Sequence, residues 1–160
     1  MAIVHARIDD RLIHGQVATM WTNNLGVTRI MVVDDAAAGD DVLKMSLKLA
    51  CPNNVALSVL PVDKAAERIN ANAYEGQRVF LILKSPQTLV RLIQANVKIE
   101  TVNVGNLTYT EGKIKIANTV AVTKEEIECF NELHKLGVKL TLQLIPSNPS
   151  EDLMDVLKKV

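Results

Sequence analysis

The chain has 160 residues, 48% hydrophobic and 22% charged, the proportions of a globular chain with a sizeable core rather than a disordered segment. Eighteen lysines and arginines balance eighteen aspartates and glutamates, which argues against a general nucleic-acid binder, whose footprint would be basic. Aromatics make up only 3%, so the core is expected to be built from Leu, Val, Ile, Ala and Met.

In chain order, "AIVHARI" (Ala2 to Ile8) reads as a first strand. From Gly15 the period changes to helical, with Val17, Met20, Trp21 and Leu25 on one face and Gly26 as the stop. A continuous apolar strand follows at Arg29 to Asp34, then a helix from Asp41 to Ala50 closed by Pro52, and a strand from Val55 to Leu60. Asp63 is the expected N-cap of a helix reaching Ala71. Next come a strand from Arg78 to Leu83 and a helix from Pro86 to Ala95, with Ser85 as cap and proline at its first position. A strand is predicted from Glu100 to Gly105, and short ones at Lys113 to Asn118 and Val120 to Val122. Thr123 with Glu126 three residues on is a capping box, opening a helix to about Leu136 that Gly137 ends. The alternating run Val138 to Ile145 is a strand, and a last helix is expected from Ser150 to Lys159.

Repeated βα units with near-continuous apolar strands imply an α/β fold, a parallel sheet with helices on both faces and room for antiparallel late strands at an edge. Without a linker, repeat or low-complexity tract, one domain over residues 1–160 is expected. The longest apolar runs, such as "VFLIL", are too short to cross a bilayer, and the first ten residues lack the pattern of a secretory signal. A cytoplasmic location is therefore expected. There Cys51 and Cys129 are packing residues, and the "NLT" triplet at Asn106 to Thr108 is a chance match to a glycosylation acceptor.

Ligands of open α/β sheets bind outside the carboxyl ends of the strands. Those positions hold Asp9, Asp10, Arg11 and His14 after the first strand, Asp34 and Asp35 after the second, Lys84 after the fourth, and Asn106 after the fifth. His14 is the sharpest candidate. It precedes Gly15 at the start of the first helix, where free backbone N–H groups and the helix dipole favour an anion. Arg11 offers a fork suited to phosphate oxygens, and Gly15 and Gln16 allow close approach of the backbone. Asp9 or Asp10 is placed to orient one imidazole nitrogen and leave the other as nucleophile. These parts suit a reversible phosphohistidine that needs no metal and no cofactor. Asp34 and Asp35 read equally as a turn and cap pair, Lys84 as a solvated strand end, Asn106 as a turn, and His5 and His134 as structural or surface residues. The loops diagnostic of nucleoside triphosphate, dinucleotide and serine-hydrolase sites are missing from the sequence. Two rivals remain. One is a receiver-like signalling domain phosphorylated on aspartate, with Asp9, Asp10, Asp34 and Lys84 around a magnesium ion. The other is a small-molecule binding module without covalent chemistry.

The stretch "RIDDRLIHGQVATMW" (Arg7 to Trp21) resembles the signature of the IIB subunit of the mannose/fructose/sorbose family of the bacterial sugar phosphotransferase system. The resemblance extends through "VVDD" (Val32 to Asp35), "VNVGNL" (Val102 to Leu107) and "GKIKIANTVAVT" (Gly112 to Thr123). It implies an open, mostly parallel sheet of about seven strands and a phosphoryl group carried on Nδ1 of His14, with Arg11 as phosphate partner. The donor would be a phosphohistidine on a IIA partner. The acceptor would be a sugar such as mannose, fructose, sorbose or N-acetylgalactosamine, held by membrane IIC and IID subunits. Other IIB types use cysteine, and neither cysteine here lies in a comparable loop. Many members are fused to a IIA domain, so this chain is expected to be a free subunit or a domain of a fusion. Self-association is left open.

Overall fold

The computed structural model describes residues 2–160, and its strands and helices alternate from the first. Strand β1 (Ile3–Asp9) leads to helix α1 (Gly15–Leu25), and β2 (Arg29–Val33) to α2 (Asp35–Ala38) and α3 (Asp41–Ala50). Strand β3 (Ala56–Leu60) leads to α4 (Val62–Asn70), and β4 (Val79–Leu83) to α5 (Pro86–Gln94). The second half holds β5 (Thr101–Asn106), β6 (Ile114–Ala117), β7 (Val120–Val122), α6 (Lys124–Lys135), β8 (Lys139–Leu142), β9 (Glu151–Asp152) and α7 (Leu153–Leu157).

Seven strands form one sheet in the order β3-β2-β4-β1-β5-β8-β9. Neighbours run parallel except β9, which pairs antiparallel with β8 at the edge. The expected α/β fold with a mostly parallel sheet is therefore present. Strands β6 and β7 form a separate antiparallel hairpin, bridged to the end of β5 through Leu107 and Val120.

From β1 the chain crosses toward one edge, and from β5 toward the other. The crevice between the ends of β1 and β5 is thus the topological switch point, where open α/β sheets bind their ligands. Each face of the sheet has its own core. Ala6, Ile8, Met31, Val33, Leu81 and Leu83 pack with Leu89, Leu92, Phe130 and Leu133 on one side. Ile30, Val32, Phe80 and Ile82 pack with Ala18, Trp21 and Leu47 on the other. A strand buried on both faces must be apolar at every position, which is why β4 reads as an unbroken hydrophobic run.

Several boundaries differ from expectation, each for a local reason. Asp9 belongs to β1 and is 1% exposed, because arginines pair with its carboxylate. Met20 is 40% exposed, and the buried face of α1 runs instead through Ala18, Trp21 and Thr22. Helix α2 was not expected. It is a single turn, too short to show a period, and Asp34 caps it by accepting from the Ala37 amide. Asp63 is not the cap of α4: the helix starts at Val62 after Pro61, and the Val62 amide donates to Asp35 from across the chain. That bond, then Arg91, holds the Asp35 carboxyl below its usual range. The predicted final helix begins later, since Glu151 and Asp152 first pair with β8 and Asp152 then caps α7. Among the described residues no helix is long and apolar enough to cross a membrane.

The capping box of α6 is formed in both directions: Thr123 accepts from the Glu126 amide and Glu126 from the Thr123 amide. Thr123→Ala is expected to cost about 1 kcal/mol and to lower the melting temperature by about 3 °C in a chain of this size. Calorimetry checks this, and an unchanged midpoint would remove the cap from the stability account.

Candidate functional site

The loop between β1 and α1 is held by both kinds of force. Leu12 and Ile13 are 5% and 6% exposed and plug into the core beneath α1. This anchoring sustains a left-handed backbone at Leu12 (φ 62°), a conformation that costs a residue with a side chain roughly 1–2 kcal/mol. The Leu12 amide closes the turn on the Asp9 carbonyl at 2.9 Å. Polar residues do the rest. The Asp9 carboxylate accepts from Arg11 at Nε (3.0 Å) and Nη2 (2.9 Å) and from the Arg11 amide, while Arg7 donates from behind at 3.3 Å.

Asp10 faces across the switch point. Its carboxylate accepts from Asn106 Nδ2 at 2.9 Å, the Thr108 amide at 2.7 Å and the Thr108 hydroxyl at 2.9 Å. The Asp10 amide also donates to the Asn106 carbonyl. The loops after β1 and β5 are thereby stitched into one rim. Asn106 is not in a turn. It is the last residue of β5, 8% exposed, and the triplet dismissed as a chance glycosylation match supplies both of Asp10's partners.

His14 is exposed and sits at the N-cap of α1, but its side chain makes no capping bond. The first helical bond runs from the Ala18 amide to the His14 carbonyl, so the amides of Gly15, Gln16 and Val17 precede it. The first turn carries no acid. Its donors are therefore available to an anion, and the helix dipole adds to them. Gly15 needs no special backbone here, and no atom lies within 4 Å of where a Cβ would stand.

Arg11 and His14 thus lie on one loop that runs into Gly15 and Gln16 at the helix start, with the Arg11 guanidinium held by Asp9. The role expected of Asp9 or Asp10 in orienting the imidazole is not what the geometry shows: Asp9 faces two arginines and Asp10 faces Asn106 and Thr108. The acids of the receiver-like reading are likewise occupied elsewhere, Asp34 as the cap of α2, and Lys84 is exposed. Among the described residues no three His, Cys, Asp or Glu side chains are grouped so as to hold a metal ion. The cysteines are free and partly buried, and burial raises the pKa of both thiols.

Arg7 escaped notice in the sequence, and His5 was read there only as a structural or surface residue. Arg7, 2% exposed, and His5 point from the same side of β1 as Asp9. The i, i+2 spacing of His5, Arg7 and Asp9 in a strand was the available signal. His5 stacks on Trp21 with ring centroids 4.4 Å apart and tilts against Phe80 at 5.3 Å. Among the described residues its Nε2 is buried without a hydrogen-bond partner. Burial, and then the Arg7 cation, push its pKa down to about 4, with Asn103 acting in the other direction.

The fold and the site define a class: a doubly wound α/β domain that presents an exposed histidine at a helix start at its switch point, on a loop whose arginine is fixed by a buried carboxylate. Within that class the chain belongs to the sorbose-subfamily IIB components of the phosphotransferase system, whose family model matches residues 3–160. It is 41% identical to the PTS system mannose-specific EIIAB component of Escherichia coli (strain K12), over all of this chain and 50% of that protein. It thus spans about half the length of such relatives. It is also 41% identical to the PTS system fructose-specific EIIB component of Bacillus subtilis (strain 168), over all of this chain and 98% of that protein. The solved IIBSor domain of the sorbose permease from Klebsiella pneumoniae superimposes with a TM-score of 0.95 at 34% identity, covering 100% of this chain and 98% of that one.

His5 makes a stability prediction. Its folded pKa of about 4 lies below the 6.5 of an unfolded histidine, so the unfolded chain binds the extra proton between those values. Stability is therefore unaffected above pH 6.5 and falls as the pH drops toward 4. By pH 5 the loss from this group is roughly 2 kcal/mol. Urea unfolding of His5→Phe, which keeps an aromatic ring on Trp21, is expected to lose less stability than wild type between pH 7 and pH 5. Parallel losses would show that His5 does not titrate as described.

Proposed function

We propose that the chain is a phosphoryl carrier that works at the cytoplasmic face of a sugar-uptake system. His14 accepts a phosphoryl group from a phosphohistidine on a IIA-type partner and passes it to a hydroxyl of a sugar held by membrane partners of the IIC and IID type. The observation that carries this reading is the exposed imidazole of His14 at the start of α1, whose first amides have no capping side chain, on a loop whose Arg11 is fixed on Asp9.

The step is an in-line displacement between nitrogens. The lone pair of Nδ1 forms the new N–P bond as the donor's N–P bond breaks, and the hydrogen of neutral His14 stays on Nε2. Negative charge on the equatorial oxygens meets the amides of Gly15, Gln16 and Val17 and the guanidinium N–H groups that Arg11 does not spend on Asp9. In the second step a sugar hydroxyl oxygen attacks the same phosphorus, the N–P bond breaks with its electrons returning to Nδ1, and the hydroxyl proton passes to a base of the membrane partner or to water. Asp9 sets the angle of the Arg11 fork, and Asp10 fixes the loop to the rim after β5. His14 must stay exposed, because two large partners meet it in turn. The relatives' names span mannose, fructose and sorbose, which fits a carrier site that contacts only phosphorus and leaves sugar choice to the membrane partners.

The test is incubation with phosphoenolpyruvate, the purified general phosphotransferase proteins and a IIA partner, followed by mass mapping of the label. The label is expected on His14, and His14→Ala is expected to keep its fold and accept none. Label on an aspartate, or a labelled His14→Ala, would overturn the reading. Gly15→Ala gives a sharper contrast. With open space around that position, alanine is expected to stabilise α1 by up to about 1 kcal/mol, yet to slow transfer by intruding where the donor's phosphate arrives. Stability and rate moving in the same direction would contradict this use of Gly15.

A further inference from the structure

We propose that Arg7 is a positioning residue for phosphoryl transfer and that Gly105 is kept free of a side chain to house it; this rests on the reading of His14 and Arg11 just given. The Arg7 guanidinium lies inside the protein, 2% exposed, with both terminal nitrogens hydrogen-bonded. Nη1 donates to Asn103 Oδ1 at 2.6 Å and to the Gln143 carbonyl at 3.2 Å. Nη2 donates to Asp9 Oδ2 at 3.3 Å, and the guanidinium carbon stands 5.7 Å from the centroid of the Trp21 ring. Asn103 is itself fixed, donating to the same Gln143 carbonyl at 2.8 Å. The remaining side is closed by Gly105, where a Cβ would overlap the guanidinium carbon and both terminal nitrogens. The backbone of Gly105 is not left-handed, so space and not conformation is what the missing side chain provides.

Arg7 acts on the reaction through Asp9. One carboxylate shared with Arg11 alone would make a neutral pair, with little attraction left for a phosphoryl dianion. Two arginines on one carboxylate leave a net charge of plus one, and only Arg11, 30% exposed, faces outward. Burial lowers the pKa of Arg7 and the Asp9 charge raises it again, but a guanidinium keeps its proton throughout. The buried cation also pins Asp9 from behind, so the Arg11 fork is set before any partner arrives and no reorganisation accompanies the transfer.

The experiment measures the rate of His14 phosphorylation at saturating phospho-donor, and the KM for that donor, in Gly105→Ala, Arg7→Met, Arg11→Met and the double variants. Gly105→Ala and Arg7→Met are each expected to lower kcat about tenfold, with KM for the donor changed less than about twofold. In the Arg11→Met background, adding either change is expected to alter the residual rate less than about twofold, since both act through Arg11. In the Arg7→Met background, Gly105→Ala is expected to cost nothing further, because the group it displaces is gone. A full-rate Gly105→Ala or Arg7→Met, or losses that multiply undiminished on top of Arg11→Met, would overturn the proposal. If Arg7→Met does not fold, Arg7→Lys carries the test: it keeps a buried cation beside Asp9 without the guanidinium's several bonds and is expected to lower kcat several-fold with KM little changed, and a full-rate Arg7→Lys would overturn the proposal. A wild-type chain unlabelled on His14 would overturn the functional reading and this inference with it. A labelled wild type with full-rate variants would overturn this inference only.

Discussion

The buried carboxylate of Asp9, set between a buried arginine and a half-exposed one, is the interaction around which the functional end of the sheet is arranged. An ionised carboxylate inside a protein is costly unless its lone pairs are filled. Here the Arg11 amide and the two guanidinium groups fill them. The same contacts end β1, turn the chain toward α1 and aim the Arg11 fork. Removing Arg7 would leave a neutral Asp9–Arg11 pair without its support from behind, and removing Arg11 would take away the outward cation, so the turn and the electrostatics of the loop are coupled.

Around this centre the remaining forces are divided between the two loops of the switch point. Leu12 and Ile13 bind the first loop to the core by burial, and Asp10 binds it to the second through Asn106 and Thr108. The two loops are joined into one rim, with His14 exposed on it and the first amides of α1 following. Rigidity at the rim and exposure at the imidazole are what a carrier visited by two partners requires, since each partner must find the same geometry without remodelling it.

Much of the fold was legible because buried parallel strands must be apolar throughout, and because Ser85 and the Thr123–Glu126 pair mark helix starts by local hydrogen bonds. What escaped the sequence depends on partners far along the chain. The amide at the start of α4 is met by Asp35, 27 residues earlier, so the local acid Asp63 misled. Asp152 pairs with Thr141 before it caps a helix, which moved the start of α7. In the site, His14, Arg11 and the helix start were local and readable. The duties of Asp9 and Asp10 were not, because Asp10's partners lie 96 and 98 residues away and Asp9 is shared with an arginine hidden under α1. Arg7 was in plain view within a strand. Only its burial shows that it belongs to the site.

The central claim is that a phosphoryl group on His14 is received by the first turn of α1 and by an arginine already fixed on Asp9. NMR of the nitrogen-15-labelled chain, recorded before and after phosphorylation by its donor, tests this directly. The account predicts that the Gly15, Gln16 and Val17 amide protons shift downfield while the Arg11 Nε–H signal stays slow to exchange in both states. Unmoved amides at those three positions, or an Arg11 signal that appears only after phosphorylation, would contradict it.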